Sequence, residues 1–139
     1  MIDNGSVSES TVKYRVRVGI IRYLELASSK GEQRHYERNL READAPGNVP
    51  NEVINQWEDW VRFDDFDWYC EPEFSEDENL AIRQFHAVWD QVADLTPEPM
   101  PESIEKLIGT SEWDRLAESA RDALTVFMRR GPLLELAAF

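Results

Sequence analysis

The densest chemistry in this chain lies between Asp64 and Glu78, where Asp64, Asp65, Asp67, Glu71, Glu73, Glu76, Asp77 and Glu78 fall close together. Carboxylates at this density are the ligands that hard divalent cations prefer. A helix-loop-helix calcium loop, however, sets its acids at alternate positions and needs a glycine at the sixth; counted from Asp65, that position is Cys70. No dedicated metal site is therefore expected. Paired carboxylates also serve as acid and base in glycoside hydrolysis, but their separation in space decides that role, and nothing in the order of these residues selects two of them.

The remaining reactive side chains are few. Glu32 and His35 have the Glu-x-x-His spacing that places two ligands on one helical face, yet a carboxylate-bridged di-iron site needs that pair twice and two further glutamates. The second histidine, His86, has Arg83 three residues before it. His35 is expected on the surface of a polar helix, and His86, next to Phe85, in a partly buried and hydrogen-bonded position. Cys70 is the single cysteine, which rules out an internal disulfide and a thiolate zinc site. Its acidic surroundings oppose the thiolate that a nucleophile requires. With no Gly-x-Ser-x-Gly elbow, no phosphate-cradling glycine loop and no zinc-protease histidine pair, no catalytic residue and no cofactor is expected.

What remains is a mixture of rings and acids. Trp57, Trp60, Phe63, Phe66, Trp68, Tyr69 and Phe74 make up seven of the fifteen aromatic residues, and acids are interleaved with them. Protein interfaces favour aromatic anchors, and an acidic rim speeds the encounter with a basic partner. The partner-binding face expected on these grounds consists of Asp64, Asp65, Phe66, Asp67, Trp68, Tyr69, Glu71 and Glu73. The same rings would equally fill a core beneath a solvated loop. For Trp57 and Trp60 the core is expected; for Phe66, Trp68 and Tyr69 both roles stand.

Charge points the same way. The 139 residues carry a net charge of −13, of which residues 51–105, with sixteen acids against Arg62 and Arg83, account for −14. Such a field repels phosphate backbones and anionic lipid, so direct nucleic-acid or membrane binding is not expected, whereas a basic protein is favoured. Acidity for solubility alone is the competing explanation. No apolar stretch approaches the roughly 20 residues of a membrane span, and residues 1–10 lack the basic and apolar regions of a secretory signal. A cytoplasmic protein is expected.

The elements that must hold this face follow from apolar spacing. Val12, Val16, Ile20, Tyr23, Leu24 and Ala27 repeat with helical period, with Lys13, Arg15, Arg17 and Arg22 largely off that stripe; Val12, Tyr14, Val16 and Val18 also alternate as a strand would. Residues 32–43 read as a charged helix, 45–50 as a loop, and 51–62 as an amphipathic helix. Residues 63–74 have no sustained period and read as an irregular acidic loop with room for a short strand. Ser75-Glu76-Asp77-Glu78 is a capping box that starts the next helix, whose core face is Ala81, Phe85, Val88, Trp89, Val92 and Leu95. Prolines 97, 99 and 101 form a rigid connector into a short helix bearing Ile104, Leu107 and Ile108. Ser111 is expected to cap the last long helix, with Arg129 and Arg130 in its final turn and Gly131-Pro132 as its stop. The expected fold is mainly α: one domain over residues 11–131, a bundle or orthogonal array of five to six helices with an irregular acidic central loop. Residues 1–10 are expected to be flexible. The apolar tail 132–139 is expected to bury itself on its own helices or on a second copy, giving a monomer or a weak homodimer.

Three segments carry a resemblance: Arg22-Tyr23-Leu24-Glu25-Leu26-Ala27, the acidic middle with Phe63-Asp64-Asp65, and Glu112-Trp113-Asp114-Arg115-Leu116-Ala117. In these the chain resembles a group of uncharacterised small acidic bacterial proteins, some associated with immunity to polymorphic toxins. The resemblance implies a bacterial origin and a binding role, and it carries over no functional residue. The expected function is a protein-binding module, an immunity or inhibitor protein whose acidic face covers a basic site such as that of a nuclease toxin. A housekeeping or regulatory helical protein and a carboxylate-based enzyme are the alternatives.

Overall fold

A computed structural model describes residues 8–133, which form five α-helices and two 3₁₀ turns, with no strand among the described residues. The helices are α1 (Glu9–Ala27), α2 (Lys30–Glu42), α3 (Val49–Trp60), α4 (Glu76–Leu95) and α5 (Ser111–Phe127). The 3₁₀ turns are Phe66–Trp68 and Ile104–Lys106.

Every α-helix begins at a side-chain cap. Ser8, Ser29, Asn48, Ser75 and Thr110 each accept a hydrogen bond from a backbone N–H in the first turn, which satisfies one of the donors a helix start leaves over. At Ser75 the bonding is reciprocal: Glu78 N–H donates to Ser75 Oγ at 3.2 Å, and Ser75 N–H donates to Glu78 Oε1 at 2.8 Å. Two boundaries differ from expectation. Thr110, not Ser111, caps α5, since its hydroxyl reaches Trp113 N–H; and α5 ends at Phe127, so Arg129 and Arg130 lie beyond it in a turn that Gly131 completes at φ 77°. The left-handed backbone there is one that glycine adopts without steric cost.

The segment with two readings, residues 12–21, is helical. Its burial is wider than one apolar stripe: Tyr14, Val18, Ile20, Ile21, Tyr23 and Leu24 are buried, and so are Lys13 and Arg17, which the spacing had put on the polar side. The reason is position. α1 packs against α5, α3 and α2, while α4 pairs most extensively with α5. A Cβ at Gly19 would lie 2.7 Å from the Trp60 ring, so glycine is what allows α3 to approach α1 there. Trp57, Phe85, Trp113, Leu116 and Phe127 complete a continuous core. Of residues 1–10, for which flexibility was expected, Ser8 caps α1 and Glu9 and Ser10 belong to its first turn; residues 1–7 lie outside the described residues, as do residues 134–139 of the apolar tail. Pro132 and Leu133, where that tail begins, are half-buried.

Candidate functional site

The acidic loop leaves α3 at Val61 and enters α4 at Ser75, and two side chains hold it against the core. Tyr69 is buried, its hydroxyl donating to the Trp60 carbonyl at 2.5 Å and accepting from the Arg62 N–H at 2.8 Å. Burial pushes its phenol up to about 12, against the lowering effect of the Arg62 N–H and charge. From α4, Asn79 Nδ2 donates to the carbonyls of Phe66 and Tyr69, each at 2.8 Å, and so pins the 3₁₀ turn.

This clamping divides the residues expected to form the face. Asp64, Asp65, Asp67 and Glu71 are exposed. Phe66 and Trp68 are half-buried, with Arg83 over the Phe66 ring at 5.0 Å and Arg62 over the Trp68 ring at 4.0 Å. Tyr69 and Glu73 are buried and belong to the core side of the loop; Glu73 Oε2 accepts from Ser10 Oγ at 2.7 Å. Asp67 is already engaged, since Arg83 donates to it at 3.0 Å. Among the described residues Asp64, Asp65 and Glu71 form no ion pair. An open groove of about 450 Å³ borders the face, lined by Asp67, Tyr69, Cys70, Glu71, Phe74, Ser75, Glu76 and Asn79.

One member was not anticipated. Phe63 is 69 % exposed and lies parallel to the His86 imidazole, with ring centroids 6.2 Å apart. His86 also meets Phe66 edge-on and Trp89 in a stack, and its Nδ1 accepts the Trp57 indole N–H at 3.1 Å. That bond requires an unprotonated Nδ1. Burial accordingly holds the His86 pKa below its ordinary value, with Asp90 opposing in part. The repeated Phe-Asp order in Phe63-Asp64-Asp65-Phe66-Asp67 is the only sequence signal for Phe63, and the two rings differ in the folded chain because Arg83 lies over Phe66.

Behind the loop lies a buried charge cluster that apolar spacing missed. Arg17 is fully buried and forks onto Glu78 with bonds of 2.6 and 2.8 Å. It also donates to the carbonyls of Glu73, Phe127 and Gly131. Arg130 donates to the same Glu78 at 2.8 Å and to the carbonyls of Pro72 and Glu73. Burial raises the Glu78 pKa, but Arg17, Arg130 and the Ser75 N–H outweigh it and hold the carboxyl down to about 2. The cluster ties α1, the end of the acidic loop, the start of α4 and the turn after α5 to one carboxylate. Its role is positional. Cys70 is exposed, with its sulfur 3.7 Å from Lys13 Nζ, and among the described residues no group of three or more histidine, cysteine or acidic side chains converges as a metal site. No helix among the described residues is long and apolar enough to cross a membrane. Comparison of the chain with protein-family models, with curated proteins and with solved structures finds no match.

Proposed function

We propose that this chain is a protein-binding module, an inhibitor or immunity protein whose acidic face engages a basic surface of its partner. The observation that carries this reading is the exposure of Asp64, Asp65 and Glu71, together with Phe63, on a loop fixed at both sides by Tyr69 and Asn79. Clustered carboxylates repel one another, and a chain that exposes three of them without an ion pair among the described residues, with Arg130 acting on Glu71 from farther off, keeps a net negative field there. Opposite charge on a partner relieves that repulsion and accelerates encounter. A nuclease toxin suits such a face, because its phosphate-binding surface must be positive.

The test is an affinity capture from extract of the source organism at low salt, with the wild-type chain and with the triple variant Asp64→Lys, Asp65→Lys, Glu71→Lys. Asp67 is left alone because its reversal would break the pair with Arg83. Retention of a basic protein by the wild type and its loss with the variant is the expected result. Equal retention by both chains would refute the assignment of the face.

A further inference from the structure

We infer that Phe63 and Asp64 form a receptor for an arginine side chain of the partner, with the guanidinium stacked on the open face of the Phe63 ring and donating to Asp64. The inference rests on the proposed binding role of the acidic face and names the chemistry that the face selects. Its warrant is a Phe-Asp sequence pattern that occurs twice in the loop, one copy of which already holds an arginine. At Phe66-Asp67, the guanidinium of Arg83 lies over the ring at 5.0 Å and donates to the adjacent Asp67 at 3.0 Å. At Phe63-Asp64, three residues earlier, the same ring and acid occur in the same order, and among the described residues no cation lies over the ring or pairs with the acid. Arg62, the nearest basic residue in sequence, is turned to the Trp68 ring at 4.0 Å.

The Phe63 side chain lies beside a fixed imidazole. The His86 imidazole lies parallel to the Phe63 ring and offset from it, with the planes 2° and the centroids 6.2 Å apart, and the Trp57 indole N–H fixes His86 in turn. An imidazole whose Nδ1 must accept that bond stays neutral, so it does not repel a cation above the ring. Phe63 is 69 % exposed, which leaves its side chain accessible from solvent. A planar guanidinium stacks on an aromatic face and forks to a carboxylate at once, whereas a lysine ammonium is a compact, strongly hydrated charge that does this less well. Arginine rather than lysine is therefore the cation that the pair selects.

The experiment is a titration of the full chain with two peptides of equal length and charge, one rich in arginine and one in lysine, read by backbone amide shifts and by calorimetry. The wild type is expected to bind the arginine peptide between about two- and five-fold more tightly, the range of an exposed cation–π contact. The largest shifts should fall at Phe63, Asp64 and His86. Phe63→Leu keeps an apolar side chain without the ring's quadrupole, so it should erase the arginine preference and leave lysine-peptide affinity unchanged. Asp64→Lys with Asp65→Lys should weaken both peptides. Equal affinity of the two peptides for the wild type, or a preference that survives Phe63→Leu, overturns the receptor while leaving the acidic face standing. Indifference of both peptides to the charge reversal overturns the acidic face itself.

Discussion

Replacing Glu78 by glutamine should destabilise the domain by several kcal/mol, about 3–5, without changing its shape. The glutamine oxygen can still accept the Ser75 N–H that closes the capping box, so the local start of α4 survives. What is lost is the negative charge facing Arg17, which is fully buried and whose guanidinium has no other carboxylate among the described residues. Removing one partner of a buried pair costs about 3–5 kcal/mol, because the remaining charge is left uncompensated. Glu78 is held down to about 2 against an ordinary 4.5, because Arg17, Arg130 and the Ser75 N–H favour its charged form over the opposing effect of burial. The sign follows from the lowered folded value: the native state binds fewer protons than the unfolded one. The contribution is complete above pH 4.5 and is lost as pH falls toward 2. Urea unfolding of the wild type and Glu78→Gln from neutral pH down to pH 2 should give curves that differ by about 3–5 kcal/mol at pH 7 and converge in acid. A difference below about 0.5 kcal/mol at pH 7, typical of an exposed surface change, would refute the structural role of the cluster.

Gly19→Ala should destabilise by about 1 kcal/mol net, because overpacking against Trp60, costing about 1–3 kcal/mol, exceeds the gain in helix propensity of up to about 1 kcal/mol; thermal melts check this, and a stabilised variant contradicts the contact. Gln33 donates to the carbonyls of Leu26 and Ala27 and accepts the Trp113 indole N–H at 2.9 Å, so Gln33→Ala should cost about 1–3 kcal/mol, read as a lower urea midpoint with unchanged slope. His86 should titrate by NMR below its ordinary 6.5, so that its contribution to stability is present above pH 6.5 and is lost as pH falls through the lower folded value; a titration at or above 6.5 would contradict the bond from Trp57.

The parts of this fold that sequence could reveal are those decided locally. Ser75 and Glu78 are three residues apart, and the capping box they spell is the one that forms. The spacing of Val53, Ile54 and Trp57 likewise suffices for α3, whose inner face they are. The breadth of α1's burial was not legible, because Arg17 is satisfied by residues 56 to 114 positions away and a lone arginine on a helix reads as a polar face. The candidate site divides in the same manner. Acids were correctly placed on a loop, but which rings they flank in solvent depends on Arg62, Arg83 and Asn79, each of which reaches its ring or carbonyl only in the folded chain. Tyr69 and Glu73 went to the core side for that reason, and Phe63 came to the surface.

The most direct test of the acidic face is the association rate of the captured partner with the wild type and with Asp64→Lys, Asp65→Lys, Glu71→Lys, followed by stopped flow from low salt to about 0.15 M, where the Debye length is about 8 Å. The expected result is a wild-type rate that falls steeply with salt and a variant rate that is slower at low salt and nearly flat, with dissociation changed far less than association. An association rate indifferent both to salt and to the three reversals would contradict recognition through this face.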